Sequence, residues 1–215
     1  MIAAVVPVKD FATAKQRLEA VLPPAVRRRL AEVMLKDVLA EVTTASGLDR
    51  VFVVTRDEQA VAIATERGAS LIVDPDNHGE TEAVALATHA LMQHGIHAML
   101  VLPADIPLIT REDVEQVIHA GREADVVLVP AHDGRGTNAV LLSPPDVLPL
   151  RFGNDSFHPH LQSARDSGLR TSILHLPRIA LDIDTPADLI SLGRWPLRTR
   201  AQALLREMPW NPQSR

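Results

Sequence analysis

Short unbroken apolar runs alternate along this chain with segments whose apolar positions recur every three or four residues. The runs "IAAVVPV" (2–8), "VFVVT" (51–55), "SLIV" (70–73), "AMLVLPA" (98–104), "DVVLVPA" (125–131) and "NAVLLS" (138–143) have the length and β-branched content of buried strands. Between them, residues 24–44 place Val26, Leu30, Val33, Met34, Val38 and Val42 at helical spacing. Helices are likewise expected over 57–67, 82–94 and 111–122. Strand–helix–strand alternation implies right-handed crossovers and a mostly parallel sheet covered by helices on both faces.

The rhythm breaks after Ser143. A turn with Pro144, Pro145 and Pro149 leads into the loop "RFGNDSFHPH" (151–160), then a helix over about 157–167. Turn, loop, helix and the stretch "TSILHLPRIALDIDT" (171–185) together read as an antiparallel excursion returning to the sheet. Short helices are expected over 186–193 and 198–207, and "PWNPQSR" at the end as a frayed tail. The domain is therefore placed at 1–193, with 194–215 as a C-terminal helix and tail. The expected class is α/β, a single-domain Rossmann-like fold with a mixed, mostly parallel sheet.

Composition narrows the function. The chain has 215 residues, 46% of them hydrophobic, which supports one sizeable core. Its net charge of −5 argues against non-specific nucleic-acid binding. No apolar run reaches membrane-spanning length and no leader pattern is visible, so a cytoplasmic protein without membrane attachment is expected. There is no cysteine, which excludes thiolate metal sites and thiol nucleophiles. Lysine occurs only at Lys9, Lys15 and Lys36; every other basic residue except histidine is arginine.

In an open α/β sheet, ligands bind beyond the carboxyl ends of the strands. After the first run come Lys9, Lys15 and Arg17 in "PVKDFATAKQRL". Asp105 follows in "LPADIPL", then "HDGRGTN" with Thr137, and finally Asp182 and Asp184 in "LDIDT". An oxygen-only carboxylate set suits magnesium, while lysine and arginine suit phosphate. If 181–184 is extended, Asp182 and Asp184 share a face, and with Asp105 they are expected within reach of a common point. Other polar residues have plainer readings. Asp188 after Thr185-Pro186 and Asp113 after Thr110 form capping boxes. "HDGRGTN" is equally a hairpin turn. His158 and His160 lack a third ligand and read as surface residues. Trp195 and Trp210 are candidate contact residues if the chain forms a homodimer.

"VPVK" with "AKQRL", then "LPADIPL", "DGRGTNAVLL", "RFGNDSFHPHLQSA" and "LDIDTPADL", resemble in order the 2-phospho-L-lactate guanylyltransferase family. That family is related to the molybdenum-cofactor guanylyltransferases. The resemblance implies a nucleotidyltransferase fold and transfer of GMP from GTP to a small phosphorylated three-carbon acid: 2-phospho-L-lactate, phosphoenolpyruvate or 3-phosphoglycerate. Pyrophosphate is released, and the product is an early precursor of a deazaflavin coenzyme. It also implies that Asp105, Asp182 and Asp184 hold Mg2+, that Lys9, Lys15 and Arg17 cradle the triphosphate, and that Thr137, Gly153 and Ser156 bind the acceptor. One segment departs from the pattern: the family commonly has Gly-Leu-Asn where this chain has Gly79-Glu80-Thr81-Glu82. Either glutamate is a plausible guanine reader, because a carboxylate accepts from N1–H and the exocyclic amine together. Equally, both simply favour the positive end of a helix that Thr81 caps. The competing readings are a cytidylyl- or sugar-1-phosphate nucleotidyltransferase and a non-catalytic nucleotide-binding protein on the same fold.

Overall fold

The computed structural model describes residues 1–153 and 155–208. Among these residues seven strands form one sheet: β1 (Ile2–Pro7), β2 (Arg50–Thr55), β3 (Ser70–Val73), β4 (Ala98–Val101), β5 (Val126–Pro130), β6 (Thr137–Leu142) and β7 (Thr171–Ile173). Their order is β3-β2-β1-β4-β6-β5-β7. Among the described strands, β6 alone runs antiparallel, hydrogen-bonded between β4 and β5. β7 pairs parallel with β5. The antiparallel excursion expected from Pro144 to 185 is therefore corrected at its returning strand. The intervening helix at Phe157–Asp166 carries the chain back across the sheet, as a parallel neighbour requires. Residues 177–180 are helical rather than extended.

Among the described residues eight α-helices accompany the strands: α1 (Pro24–Val42), α2 (Glu58–Glu66), α3 (Glu80–Gln93), α4 (Arg111–Ala120), α5 (Phe157–Asp166), α6 (Pro177–Ala180), α7 (Pro186–Arg194) and α8 (Arg200–Glu207). Strand alternation assigns their faces. Ala3 and Val5 of β1 pack with Ala87 and Leu91 of α3, in a cluster that also takes in Phe157 and Ala164 of α5. Ala4 packs with Val38 of α1 and Val117 of α4 on the opposite face, and Val6 with Leu35 of α1 and Ile63 of α2. Leu100 at the sheet centre is fully buried, so Leu100→Ala removes about 2–5 kcal/mol of stability.

Both capping boxes form as expected, Thr110 with Asp113 and Thr185 with Asp188. At α3 the expectation fails. Its N-cap is Gly79, without a side-chain cap, and the Thr81 hydroxyl instead accepts the Phe152 N–H at 2.9 Å. Glycine suits Gly79 because its φ of 134° is closed to other residues. α8 joins the body of the protein: Ala201 and Leu205 share an apolar cluster with Leu30 and Met34 of α1, against which Trp195 is partly buried. Trp210 and the rest of the expected frayed tail, from 209 on, lie outside the described residues. Among the described residues no helix is long and apolar enough to cross a membrane.

Candidate active site

The chain leaves β1 for β2 and β3 on one side, then returns to β4 on the other. The resulting switch point lies beyond the carboxyl ends of β1 and β4. Two cavities open there, of about 410 and 590 Å3. They share a wall made by Lys9, Arg17, Glu80, Pro103, Asp105 and Asp184. Lys15 lines the first only; Thr137, Gly153, Ser156 and Asp182 line the second only. All the anticipated residues except Glu82 thus meet at one edge. Glu82 is exposed and borders neither cavity, and its carboxylate lies against Gly79.

Lys15 lines the first cavity and reaches two carboxylates of the shared wall. Its ammonium donates to Asp105 Oδ2 at 2.5 Å and to Asp184 Oδ1 at 2.8 Å. The backbone supports that reach with a left-handed turn at Lys15, φ 56°, just before a single 3-10 turn at Gln16–Leu18. Such a conformation is uncommon for a residue with a Cβ and marks a site where geometry outweighs local preference. Burial of the ammonium by itself favours the neutral amine. The charges of Asp105 and then Asp184 outweigh it and raise the Lys15 pKa above the ordinary lysine value. Burial likewise acts to raise Asp184, but Lys15, followed by Arg17 at 3.6 Å, holds it below the usual carboxylate range.

Asp182 stands apart from this pair. Along 181–184 burial alternates, with Leu181 and Ile183 buried and the two aspartates half-buried between them. The Ile183 N–H donates to the Asp105 carbonyl at 3.0 Å, which draws the segment to the end of β4. Asn138 on β6 donates to Asp182 Oδ1 at 2.9 Å. Burial first, and the Asp105 charge next, push Asp182 up. Among the described residues no three His, Asp or Glu side chains converge as a metal site. Asp105, Asp182 and Asp184 nevertheless line one cavity, with Asp105 and Asp184 on the same ammonium. Close carboxylates repel one another, and the Lys15 ammonium is the cation that two of them hold. The donor set still fits a hard divalent cation: it is all oxygen, and Asp105 Oδ1 is buried with no hydrogen-bond partner. Glu80 adds a fourth carboxylate; burial, then Asp105, pushes it up to about 7.

In the second cavity, "HDGRGTN" is both things it was read as. It turns the chain from β5 to β6, with Gly134 at φ 72° and the Arg135 N–H on Asp133 Oδ1 at 2.8 Å, and it also lines the cavity. The ladder slips register at Val129/Pro130, just where Thr137 enters β6. A side chain added at Gly153 meets nothing within 4 Å, so glycine leaves open space there. Ser156 is buried; its hydroxyl accepts the Thr137 N–H at 3.0 Å and donates to Thr137 Oγ1 at 3.2 Å.

Several site residues escaped the sequence. His160 is buried at 2% exposure, whereas His158 is exposed. The surface reading of His160 is therefore wrong. The signal was available, since Phe157, His160 and Ala164 form one helical face. Asp74 and Asn77, just past β3, line the first cavity, and Arg135 lines the second. The rule of strand carboxyl ends would have found the first two.

Comparison with known proteins agrees with this architecture. The chain is 39% identical over 191 residues to the phosphoenolpyruvate guanylyltransferase of Conexibacter woesei, covering 88% of this chain and 86% of that one. It is 33% identical over 207 residues to the 2-phospho-L-lactate guanylyltransferase of Methanothermobacter thermautotrophicus, covering 95% and 90%. A crystal structure from Desulfovibrio desulfuricans G20, described as a candidate nucleotide-diphospho-sugar transferase, superposes with a TM-score of 0.78 at 20% identity, covering 96% and 94%. At that identity it speaks for the fold alone. A family model described as guanylyl transferase, CofC-like, matches residues 2–211, and the chain belongs to that family of nucleotidyltransferases.

Proposed function

We propose that this protein transfers GMP from GTP to the phosphate of a small phosphorylated three-carbon acid, releasing pyrophosphate, in deazaflavin coenzyme biosynthesis. The observation that carries the reading is the shared wall. A lysine-lined cavity and a hydroxyl-lined cavity meet at Lys9, Arg17, Asp105 and Asp184, which is the arrangement a transfer between two anionic substrates needs. Relatives named for phosphoenolpyruvate and for 2-phospho-L-lactate support the acceptor class.

In this reading the triphosphate lies in the first cavity against Lys9, Lys15 and Arg17. The acceptor lies in the second against Thr137, Gly153 and Ser156. A phosphate oxygen of the acceptor attacks the α-phosphorus, a new P–O bond forms, and the bond to the β-phosphate oxygen breaks. The acceptor phosphate is ionised at neutral pH and requires no general base. Asp105, Asp182 and Asp184 would hold Mg2+, which when bound neutralises phosphate charge. The protein's own contribution is positioning and a fixed positive charge at Lys15.

Pyrophosphate release from GTP, Mg2+ and each of the three acids in turn is the direct test. Release with one acid, dependent on GTP, is expected. Release with a sugar 1-phosphate instead, or binding without turnover, would replace this reading.

A further inference from the structure

His160 makes two hydrogen bonds whose directions can be assigned. Its Nε2 lies 2.9 Å from the backbone nitrogen of Arg151. A backbone N–H only donates, so Nε2 presents its lone pair. A neutral imidazole has one acceptor and one donor nitrogen, so Nδ1 carries the proton. Nδ1 lies 3.1 Å from Thr137 Oγ1 and donates to it. The Ser156 hydroxyl donates to the same oxygen at 3.2 Å while its own oxygen accepts the Thr137 N–H. A hydroxyl oxygen has two lone pairs, and here both are filled. What Thr137 retains is its own O–H proton, at the wall of the second cavity.

We infer that His160 is a positioning residue which, together with Ser156, fixes the Thr137 hydroxyl as an obligate hydrogen-bond donor to an anionic oxygen of the acceptor. This rests on the reading of the second cavity as the acceptor site. The same imidazole anchors the backbone where the 151–153 segment begins, and Thr81 anchors Phe152 one residue on. The loop and the hydroxyl are therefore set by one side chain. Burial keeps the ring neutral, with its pKa pushed down to about 4, so the donor assignment holds across the working pH range. A hydroxyl free to rotate would serve a donor or an acceptor. One with both lone pairs occupied favours carboxylate or phosphate over a sugar hydroxyl presenting its proton.

Two substitutions separate the bonds. His160→Asn places an amide N–H near the Nδ1 position and keeps the donor to Thr137. His160→Gln reaches the Nε2 position and keeps the acceptor for Arg151. In assays with the acid turned over by the wild type, His160→Gln is expected to raise the acceptor KM about two- to tenfold, as loss of a hydrogen bond between neutral groups predicts. The GTP KM stays within about twofold, and His160→Asn lies nearer the wild type. Thr137→Val raises the acceptor KM by itself, and in that background His160→Gln adds nothing further. Equal effects of His160→Gln with and without the Thr137 hydroxyl overturn the positioning of that hydroxyl while leaving the acceptor site intact. An unchanged acceptor KM in Thr137→Val overturns the acceptor site and the inference with it. Should the variants not fold, long-range 1H–15N spectra of the histidine-labelled wild type still decide. A buried ring protonated at Nδ1 is expected, and one protonated at Nε2 refutes the assignment.

Discussion

Lys15 and Asp105, 90 residues apart in the chain, meet at 2.5 Å, and the same ammonium bridges on to Asp184 at 2.8 Å. The contact joins the segment after β1 to the end of β4, where the two cavities share a wall. Removing Lys15 takes from Asp105 this counter-charge, and removing Asp105 leaves the buried ammonium on Asp184 alone. Lys15→Met is expected to lower kcat by about 10²–10³, the usual effect of deleting a preorganised electrostatic contact. Asp105→Asn should do at least as much while circular dichroism still reports a folded chain. Near wild-type turnover in either variant would remove the pair from the chemistry.

In the proposed reading Ser156 serves the acceptor through Thr137, with which its hydroxyl both accepts and donates a hydrogen bond. Ser156→Ala is expected to raise the acceptor KM about tenfold, consistent with 1.5–3 kcal/mol for a hydrogen bond serving a charged group. The GTP KM should hardly move. A parallel rise in both constants would place Ser156 outside the acceptor cavity.

The two glutamates of the departing segment separate in the structure. Glu80 lies on the shared wall under the influence of Asp105 and Lys9, whereas Glu82 is exposed beside Gly79. Glu80→Gln is expected to change turnover and leave the GTP-to-ATP preference as it was. Glu82→Gln should cost only about 0.3–1 kcal/mol, the value of a charge at a helix N-terminus. A narrowed GTP preference in either variant would restore a glutamate as the reader of the base.

His160 also gives the fold a pH dependence. Its pKa lies near 4 in the folded protein and near 6.5 when unfolded. Below 6.5 the unfolded chain takes up the proton first, so stability is fully present above that pH and is lost as the pH falls toward 4. The contribution is at most about 3 kcal/mol. The drop in melting temperature between pH 7 and pH 5 is expected to shrink in His160→Asn. An identical drop in both proteins would exclude this group as its source.

Asp37 of α1 docks the C-terminal helix. Its carboxylate accepts the Arg200 N–H at 3.0 Å and the Ala201 N–H at 2.9 Å, and pairs with the Arg200 guanidinium at 3.1 Å. Asp37→Ala should cost about 1–3 kcal/mol of stability by leaving the α8 amides unpaired. Because Asp37 lines neither active-site cavity, the KM values should stay put. Melting curves and steady-state kinetics on one preparation check both halves.

The sequence by itself determined the strands, most of the helices, both capping boxes and the edge of the sheet where the candidate site lies. Those features are written in contiguous residues. Apolar runs, the helical period of Val26 to Val42, and Thr-to-Asp spacing at Thr110 and Thr185 act within one element, so reading along the chain recovers them. Tertiary structure decided what depends on distant segments meeting. It alone set β7 parallel to β5, turned Thr81 from a cap into an anchor for Phe152, and placed Lys15 between Asp105 and Asp184. It also buried His160 while leaving His158 in solvent, and engaged Ser156 with Thr137. A lysine or histidine has no local rule that fixes its partner. Its role follows from which strands the sheet order brings side by side, and that order is settled only when the whole core packs.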